Sequence, residues 1–360
     1  MRLPSKGLVL LVSVVLLSGC LGHPAPSPKR SRPTRRPAPT PTPTLPLLIF
    51  GPTPTSARRL IISAPVAVPP RPSTPTLSPA SATRRIDQTL NILVLGADRR
   101  RSVARIWRTD TIMLVMVDRL RGEVAVVSIP RDTYVSIPRY GHQRINVVDF
   151  FGESGIVKIK GGGPALLKAV FKRNFGVRVD HYLRIDLEGF RKIVDTLGGV
   201  DVEVTCPHTV TWGGETYHFS KGLQHMNGAE LMIYVRARRG SSDIDRARRQ
   251  QRALLAMRNR ARELNLLPRL PLLYKALSES VQTDLSLLDL IDLARLGLNI
   301  SPDRVHGQVI RYPLVRGTVT SRGESVLVPD LPGIRSLIEH AFESPPLLKA
   351  TEKGIACEKK

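Results

Sequence analysis

From Asn91 onward, short apolar runs alternate with turn residues. Asn91-Ile92-Leu93-Val94-Leu95-Gly96 is one run, and Thr111–Val117 and Glu123–Ile129 are two more. Runs of this length between polar breaks predict buried strands. Asp118-Arg119-Leu120-Arg121-Gly122 joins the second to the third, a hairpin-length connection that makes them antiparallel. Sequential strands are usually neighbours, so the first is expected beside the second with the same sense. Asp98, Asp110 and Arg131-Asp132 then fall at one end of the sheet.

Pro164–Phe175 has the period of an amphipathic helix, with Pro164 in its first turn and Gly176 just past its end. His181–Leu187 alternates like a half-buried strand. Glu188–Leu197 reads as a helix stopped by Gly198-Gly199, and Val200–Val204 as a strand. Thr209–Trp212 and Glu215–Phe219 flank Gly213-Gly214, a β-hairpin pattern. Ala229–Val235 is a helix behind an N-capping Asn227, and Asp243 or Asp245 caps a long helix after it. Residues 265–343 read as a helical continuation packing on this domain, and 344–360 as a polar tail. Strands mixed with covering helices make the fold an α/β sandwich with a partly antiparallel sheet.

The first 86 residues have a different texture. Arg2 and Lys6 precede the apolar run Gly7–Leu17, which leads to Leu17-Ser18-Gly19-Cys20. These are the parts of an export signal, and the run is short for a helix crossing a ~30 Å hydrocarbon core. The tetrapeptide resembles a bacterial lipobox, which makes 1–20 a lipoprotein-type signal and Cys20 the lipid-modified residue. An uncleaved signal anchor is the alternative. Either places the chain outside the cytoplasm and ties it to a membrane. Residues 21–86 are a Pro/Thr/Arg-rich disordered linker: 17 of the 30 prolines lie between 23 and 86.

Charge sharpens this picture. The net charge is +24, yet residues 1–86 hold 12 Lys/Arg and no acid, so half the excess sits in the signal and linker together. Affinity for an anionic surface fits that placement better than nucleic acid does.

The strand-end carboxylates Asp98 and Asp110 would repel each other unless a cation intervened. Mg²⁺ is commonly held by one or two carboxylates together with phosphate oxygens. Between them lie Arg99, Arg100, Arg101, Arg105 and Arg108, whose guanidinium forks match phosphate geometry. On the long helix, Arg246, Arg249 and Gln250 share a face and could address one anion. Arg248, Arg252, Arg258, Arg260 and Arg262 read as a solvated basic face. Cys206, His208, His218 and His225 have a spacing that fits no structural zinc pattern. If Cys20 carries lipid, Cys206 and Cys357 could pair in an oxidising compartment.

Several segments, taken in order, resemble the LytR-CpsA-Psr family. They are Asn91–Asp98, Arg108-Thr109-Asp110-Thr111, Ser128-Ile129-Pro130-Arg131-Asp132, Arg144-Ile145-Asn146, Asp180-His181-Tyr182, Gly189-Phe190, Leu197-Gly198-Gly199-Val200, Tyr234–Arg238 and Asp243–Gln251. The resemblance implies a catalytic domain over 87–264 with an α/β/α sandwich. It also implies an extracytoplasmic enzyme that moves a glycopolymer phosphate from a polyprenyl-pyrophosphate carrier to peptidoglycan. Asp98 and Asp110 would hold Mg²⁺. Arg108, Arg131, Arg236, Arg238 and Gln250 would contact the pyrophosphate, with Arg246 and Arg249 beside them. Asp132 is a candidate base for the acceptor hydroxyl, a metal-bound water being the alternative. The lipid tail would lie between sheet and helices, with the helices at 164–175 and 188–197 as candidate walls.

The lipoprotein-like anchor and the very basic loop after Asp98 depart from the family pattern. A polyprenyl-pyrophosphate pyrophosphatase, a non-catalytic wall-polymer-binding lipoprotein and a transcriptional attenuator are the rival readings. The export signal and the lack of a recognisable helix-turn-helix pattern weigh against the last.

Overall fold

The three apolar runs form the middle of a six-stranded sheet as β1 (Leu90–Ala97), β2 (Thr109–Asp118) and β3 (Glu123–Ser128), with both neighbouring pairs antiparallel. This computed structural model describes residues 86–98, 107–237, 242–277 and 281–347. The export signal with Cys20, the linker, Arg99, Arg100, Arg101, Arg105, Arg238 and Cys357 lie outside the described residues. Across the β1–β2 ladder Gly96 faces Thr111 and Ala97 faces Thr109, which makes Asp110 the extra residue of a β-bulge.

A small hairpin, β4 (Tyr134–Ile137) and β5 (Gly141–Arg144), leads into α1 (Val148–Glu153) and α2 (Gly162–Phe175). The chain then crosses back, so that β6 (His181–Asp186) lies parallel to β1. Next come α3 (Leu187–Thr196), β7 (Val200–Val204), the hairpin β8 (His208–Trp212) and β9 (Glu215–Phe219), and β10 (Gly222–Met226), antiparallel to β7. Two helices follow, α4 (Gly228–Arg236) and α5 (Asp243–Glu263). The cap of α5 is Ser242, not Asp243 or Asp245. Its hydroxyl accepts from the Asp245 N–H while the Asp245 carboxylate reaches back to the Ser242 N–H.

The stretch after residue 264 is not solely helical. It comprises α6 (Leu270–Leu277), β11 (Val281–Thr283), α7 (Leu287–Asn299), β12 (Val305–Val309), the hairpin β13 (Val315–Val319) and β14 (Ser325–Pro329), and α8 (Leu331–Glu339). β11 pairs antiparallel with β6 and β12 parallel with β3, giving the order β11-β6-β1-β2-β3-β12. Segments this short show no decisive period. They become strands because β6 and β3 offer them ladder partners.

Alternation along the strands gives the sheet two unlike faces. Leu93, Leu95, Ile112, Leu114, Met116, Ala125 and Val127 are buried in one closed core with Leu166, Leu167, Val170 and Phe171 of α2. On the opposite face Ile92, Met113, Val117 and Val126 are buried, while Val94, Gly96, Val115, Val124, Leu183 and Ile185 are only half-buried. There Val94, Val115, Val124 and Leu296 of α7 border a smaller cluster that includes Leu255 of α5. α7 is rich in leucine, yet none of its residues is fully buried. A lipid slot against α2 is therefore corrected: α2 belongs to the filled core, and the loosely covered face lies under α7. α3 packs with α4 and β7 in a separate cluster.

Gly96 sits where β1 and β2 approach closely: a methyl group there would meet Thr111 Cβ at 2.9 Å. Gly96→Ala should destabilise the chain by about 1–3 kcal/mol, the usual penalty for overpacking. Urea unfolding would read this as a lower midpoint with an unchanged slope.

A buried ion pair ties the layers beneath this strand end. Arg184 of β6 donates to Asp149 of α1 at 2.9 Å, and lies 3.5 Å from Glu153. It also donates to Gln282 of β11, and stacks on the Trp107 ring at 5.4 Å. The second Asp149 oxygen accepts from Thr109 Oγ1 at 3.2 Å.

Candidate active site

The strand ends converge as expected. The Asp98 N–H donates to the Arg108 carbonyl at 2.9 Å, closing the loop at the mouth of β1 and β2. Asp98 Oδ2 accepts from Arg236 Nη2 at 3.0 Å, and Asp110 Oδ1 from Arg131 Nη1 at 3.0 Å. The Asp110 bulge and the last turn of α4 thus each supply one half of a carboxylate–guanidinium pair. Arg131 also lies 3.4 Å from Asp132 and 3.7 Å from Asp243. Burial works against its charge, but Asp110, Asp132 and Asp243 outweigh it and hold the guanidinium above its usual pKa. Asp132 is shared with Arg144 at 3.8 Å. Arg108 is exposed at the same end.

The trio on α5 does not act as one face. Arg246 pairs with Asp243 at 2.9 Å. Arg249 is 3% exposed and turns inward, donating to the carbonyls of Tyr234 and Ala237 and meeting the His208 ring at 3.0 Å. Burial depresses its pKa, and His208 is depressed likewise, by burial first and by Arg249 second. Gln250 reaches the Val235 carbonyl at 3.4 Å. Arg249 and Gln250 therefore brace the end of α4 from which Arg236 projects, satisfying carbonyls that a helix C-terminus leaves open. Neither Arg248 nor Arg252 is solvated. Arg248 is buried beside Asp245 at 3.6 Å, and Arg252 donates to Thr205 Oγ1 at 2.8 Å. Arg258 donates to the Gly297 carbonyl at 2.7 Å and Arg260 to that of Leu197 at 3.1 Å. Only a helix packed on three sides can use so many arginines in this way, and its sequence period does not reveal that packing.

Three site residues escape sequence reasoning. Asp243 is freed by the Ser242 cap to stand between Arg131 and Arg246. Trp212, at the tip of the β8–β9 hairpin, lies 5.0 Å from the Arg236 guanidinium carbon. Asn146 donates its backbone N–H to the Arg131 carbonyl, while both polar atoms of its 1% exposed side chain lack a hydrogen-bond partner among the described residues. Arg236 Nη1 is buried and equally unsatisfied. A buried donor left without a partner costs about 1–3 kcal/mol unless a ligand or water completes it.

Among the described residues no group of three or more His, Cys, Asp or Glu could hold a metal. Asp98 and Asp110 are nevertheless the hard oxygen donors that Mg²⁺ uses in ones and twos, with phosphate oxygens filling other positions. The donor set fits a cation that arrives with a phosphate-bearing ligand. Elsewhere, His218 meets Thr209 at 3.2 Å and His225 meets Asp201 at 2.7 Å. Cys206 is disulfide-bonded, and the two other cysteines lie outside the described residues. No helix among the described residues is long and apolar enough to cross a membrane.

The sequence pattern of the LytR_cpsA_psr family matches residues 71–339. A relative from Oceanobacillus iheyensis, named polyisoprenyl-teichoic acid–peptidoglycan teichoic acid transferase TagU, is 32% identical over 200 residues, 55% of this chain and 59% of its own length. Regulatory protein MsrR of Staphylococcus aureus (strain COL) is 31% identical over 202 residues, covering 55% of this chain and 57% of that one. The chain thus spans under two thirds of the curated relatives it matches. Among solved structures, B. subtilis TagV superposes with a TM-score of 0.58 at 22% identity, over 72% of this chain and 99% of that one. A TagT structure bound to LIIa-WTA gives 0.54 at 21%, over 72% and 92%. These likenesses establish the mixed α/β fold.

Proposed function

The chain belongs to the LytR-CpsA-Psr family, and from that premise we propose that it is a Mg²⁺-dependent phosphotransferase. It moves a glycopolymer from a polyprenyl-pyrophosphate carrier onto peptidoglycan, outside the cytoplasm, held to the membrane by lipid on Cys20. The observation that carries this reading is the pairing at the strand ends. Asp98 holds Arg236 and Asp110 holds Arg131, while the buried Arg236 Nη1 has no partner among the described residues. A pyrophosphate with its cation offers the same charges in the complementary order, anion to the guanidiniums and cation to the carboxylates.

Phosphoryl transfer asks the protein chiefly for positioning and for positive charge on the non-bridging oxygens. Arg131 and Arg236 supply that charge from two sides, while Arg108, Arg238 and Arg246 flank them in the sequence motifs; Arg249 and Gln250 act from behind, through α4. The acceptor hydroxyl oxygen bonds to the sugar-side phosphorus as the bond to the bridging oxygen breaks, and polyprenyl phosphate leaves. Asp132 is the candidate to take the hydroxyl proton. Mg²⁺, held by Asp98 and Asp110, would neutralise charge on the phosphate oxygens.

The half-buried face under α7 favours a lipid-linked donor. Val94, Gly96, Val115, Leu183 and Ile185 run along it toward the strand end that bears Asp98. The TagU relative is named for a polyisoprenyl-linked donor and a peptidoglycan acceptor, which agrees with this reading.

Mass spectrometry of lipid retained by the chain after mild extraction from its native membrane provides the test. Polyprenyl phosphate or pyrophosphate at near-stoichiometric amount is the expected result. Bulk phospholipid alone, after the chain has also been incubated with polyprenyl pyrophosphate, would overturn the proposal.

A further inference from the structure

We propose that Trp212 is a stacking platform for the pyranose ring joined directly to the donor pyrophosphate, and so a determinant of which glycan is accepted. This inference rests on the function proposed above. Trp212 ends β8, and Gly213 and Gly214, with φ of +62° and +87°, close the two-residue turn to β9. Inward-facing residues of this hairpin lie along α4: Phe219 packs on Tyr234 with ring centres 5.2 Å apart, and His208 at 6.3 Å. The same face, continued to the tip, brings the indole to 5.0 Å from the Arg236 guanidinium carbon.

That guanidinium already fixes one side of the site through its 3.0 Å bond to Asp98. An anion held by Arg236 therefore has the indole beside it, and the group next to the phosphate on the donor is a sugar. Trp212 is still 37% exposed, an unusual amount for a large ring beside a partly buried ion pair. Polar groups suited to sugar hydroxyls surround it. Glu215 is its cross-strand partner, and the Tyr217 hydroxyl donates to Glu215 Oε2 at 2.9 Å. An apolar ring edged by a carboxylate and a phenolic hydroxyl on the same face of the hairpin can hold a pyranose by its C–H face while hydrogen-bonding its rim.

Equilibrium binding to the full chain is measured with two probes: polyprenyl pyrophosphate, and the same carrier bearing one N-acetylglucosamine. Trp212→Ala should weaken the sugar-bearing probe about tenfold, or about 1.4 kcal/mol, and leave the sugar-free probe within about twofold. Trp212→Phe, which keeps a ring, should recover most of the loss. Equal weakening of both probes would mean the indole only steadies Arg236 and would overturn the platform role, as would no weakening of either. If the unaltered chain binds neither probe, the proposed function falls, and this inference with it. Unaltered binding of both with no selective loss in the alanine variant removes the inference alone.

Discussion

Arg131→Ala is expected to lower transfer from a polyprenyl-pyrophosphate glycan to peptidoglycan by a factor of about 100 to 1000, the usual loss when a preorganised charge donor is removed. Arg131 is the hub of the site, within 3.0 Å of Asp110, 3.4 Å of Asp132 and 3.7 Å of Asp243. Its removal takes away a phosphate ligand and also the counter-ion that Asp110, Asp132 and Asp243 share. Arg131→Lys separates the two effects. Lysine restores the point charge among the carboxylates but not the planar fork, so it should recover stability while recovering little rate. Product release measured at saturating donor, for both variants, decides the matter. Full activity in Arg131→Ala would remove this residue from the chemistry.

Asp149→Ala should destabilise the fold by about 3–5 kcal/mol, because it leaves Arg184 buried without its main counter-ion. Both partners are nearly inaccessible, and the pair sits where α1, β2, β6 and β11 meet. Burial pushes the Asp149 carboxyl above the usual carboxylate range, against the pull of Arg184 and Thr109. The double variant Asp149→Ala with Arg184→Met removes both charges and should regain much of the loss. Chemical denaturation checks the comparison. If the single and double variants unfold alike, the pair matters only as packing. Because Asp149 also holds Thr109, next to the bulged Asp110, the fraction of the single variant that stays folded should be less active as well.

The middle of the sheet was legible in the sequence because β1, β2 and β3 are long enough to carry their own pattern, β2 and β3 are joined by a hairpin-length connection, and sequential strands are usually neighbours. Asp98, Asp110 and Arg131 follow from that geometry, since a strand end is placed as soon as the strand is. β11 and β12 were not legible: three and five residues carry no period, and their state is decided by distant partners. The roles of Arg248, Arg249 and Arg252 were hidden for a related reason. Helical spacing tells which residues share a face but not which face is covered, and α5 is covered by α4, β7 and the sheet. Asp243 and Asp245 both satisfy the rule for a helix cap, but so does Ser242, which takes that place and leaves Asp243 to the site. Trp212 was visible only as part of a hairpin, because nothing local shows that the hairpin lies along α4.

The sheet order has a consequence for how this chain can be made. β6 and β3 are its outer strands until the last third of the chain arrives, when β11 closes one side and β12 the other. A polypeptide cut after residue 264 would keep every motif that marks the site, yet display two open edges of unpaired N–H and C=O groups. Such edges template association with other chains. The boundary that sequence motifs invite is thus the one most apt to yield aggregates, and a shortened form intended to stay monomeric must retain the chain at least through Val309.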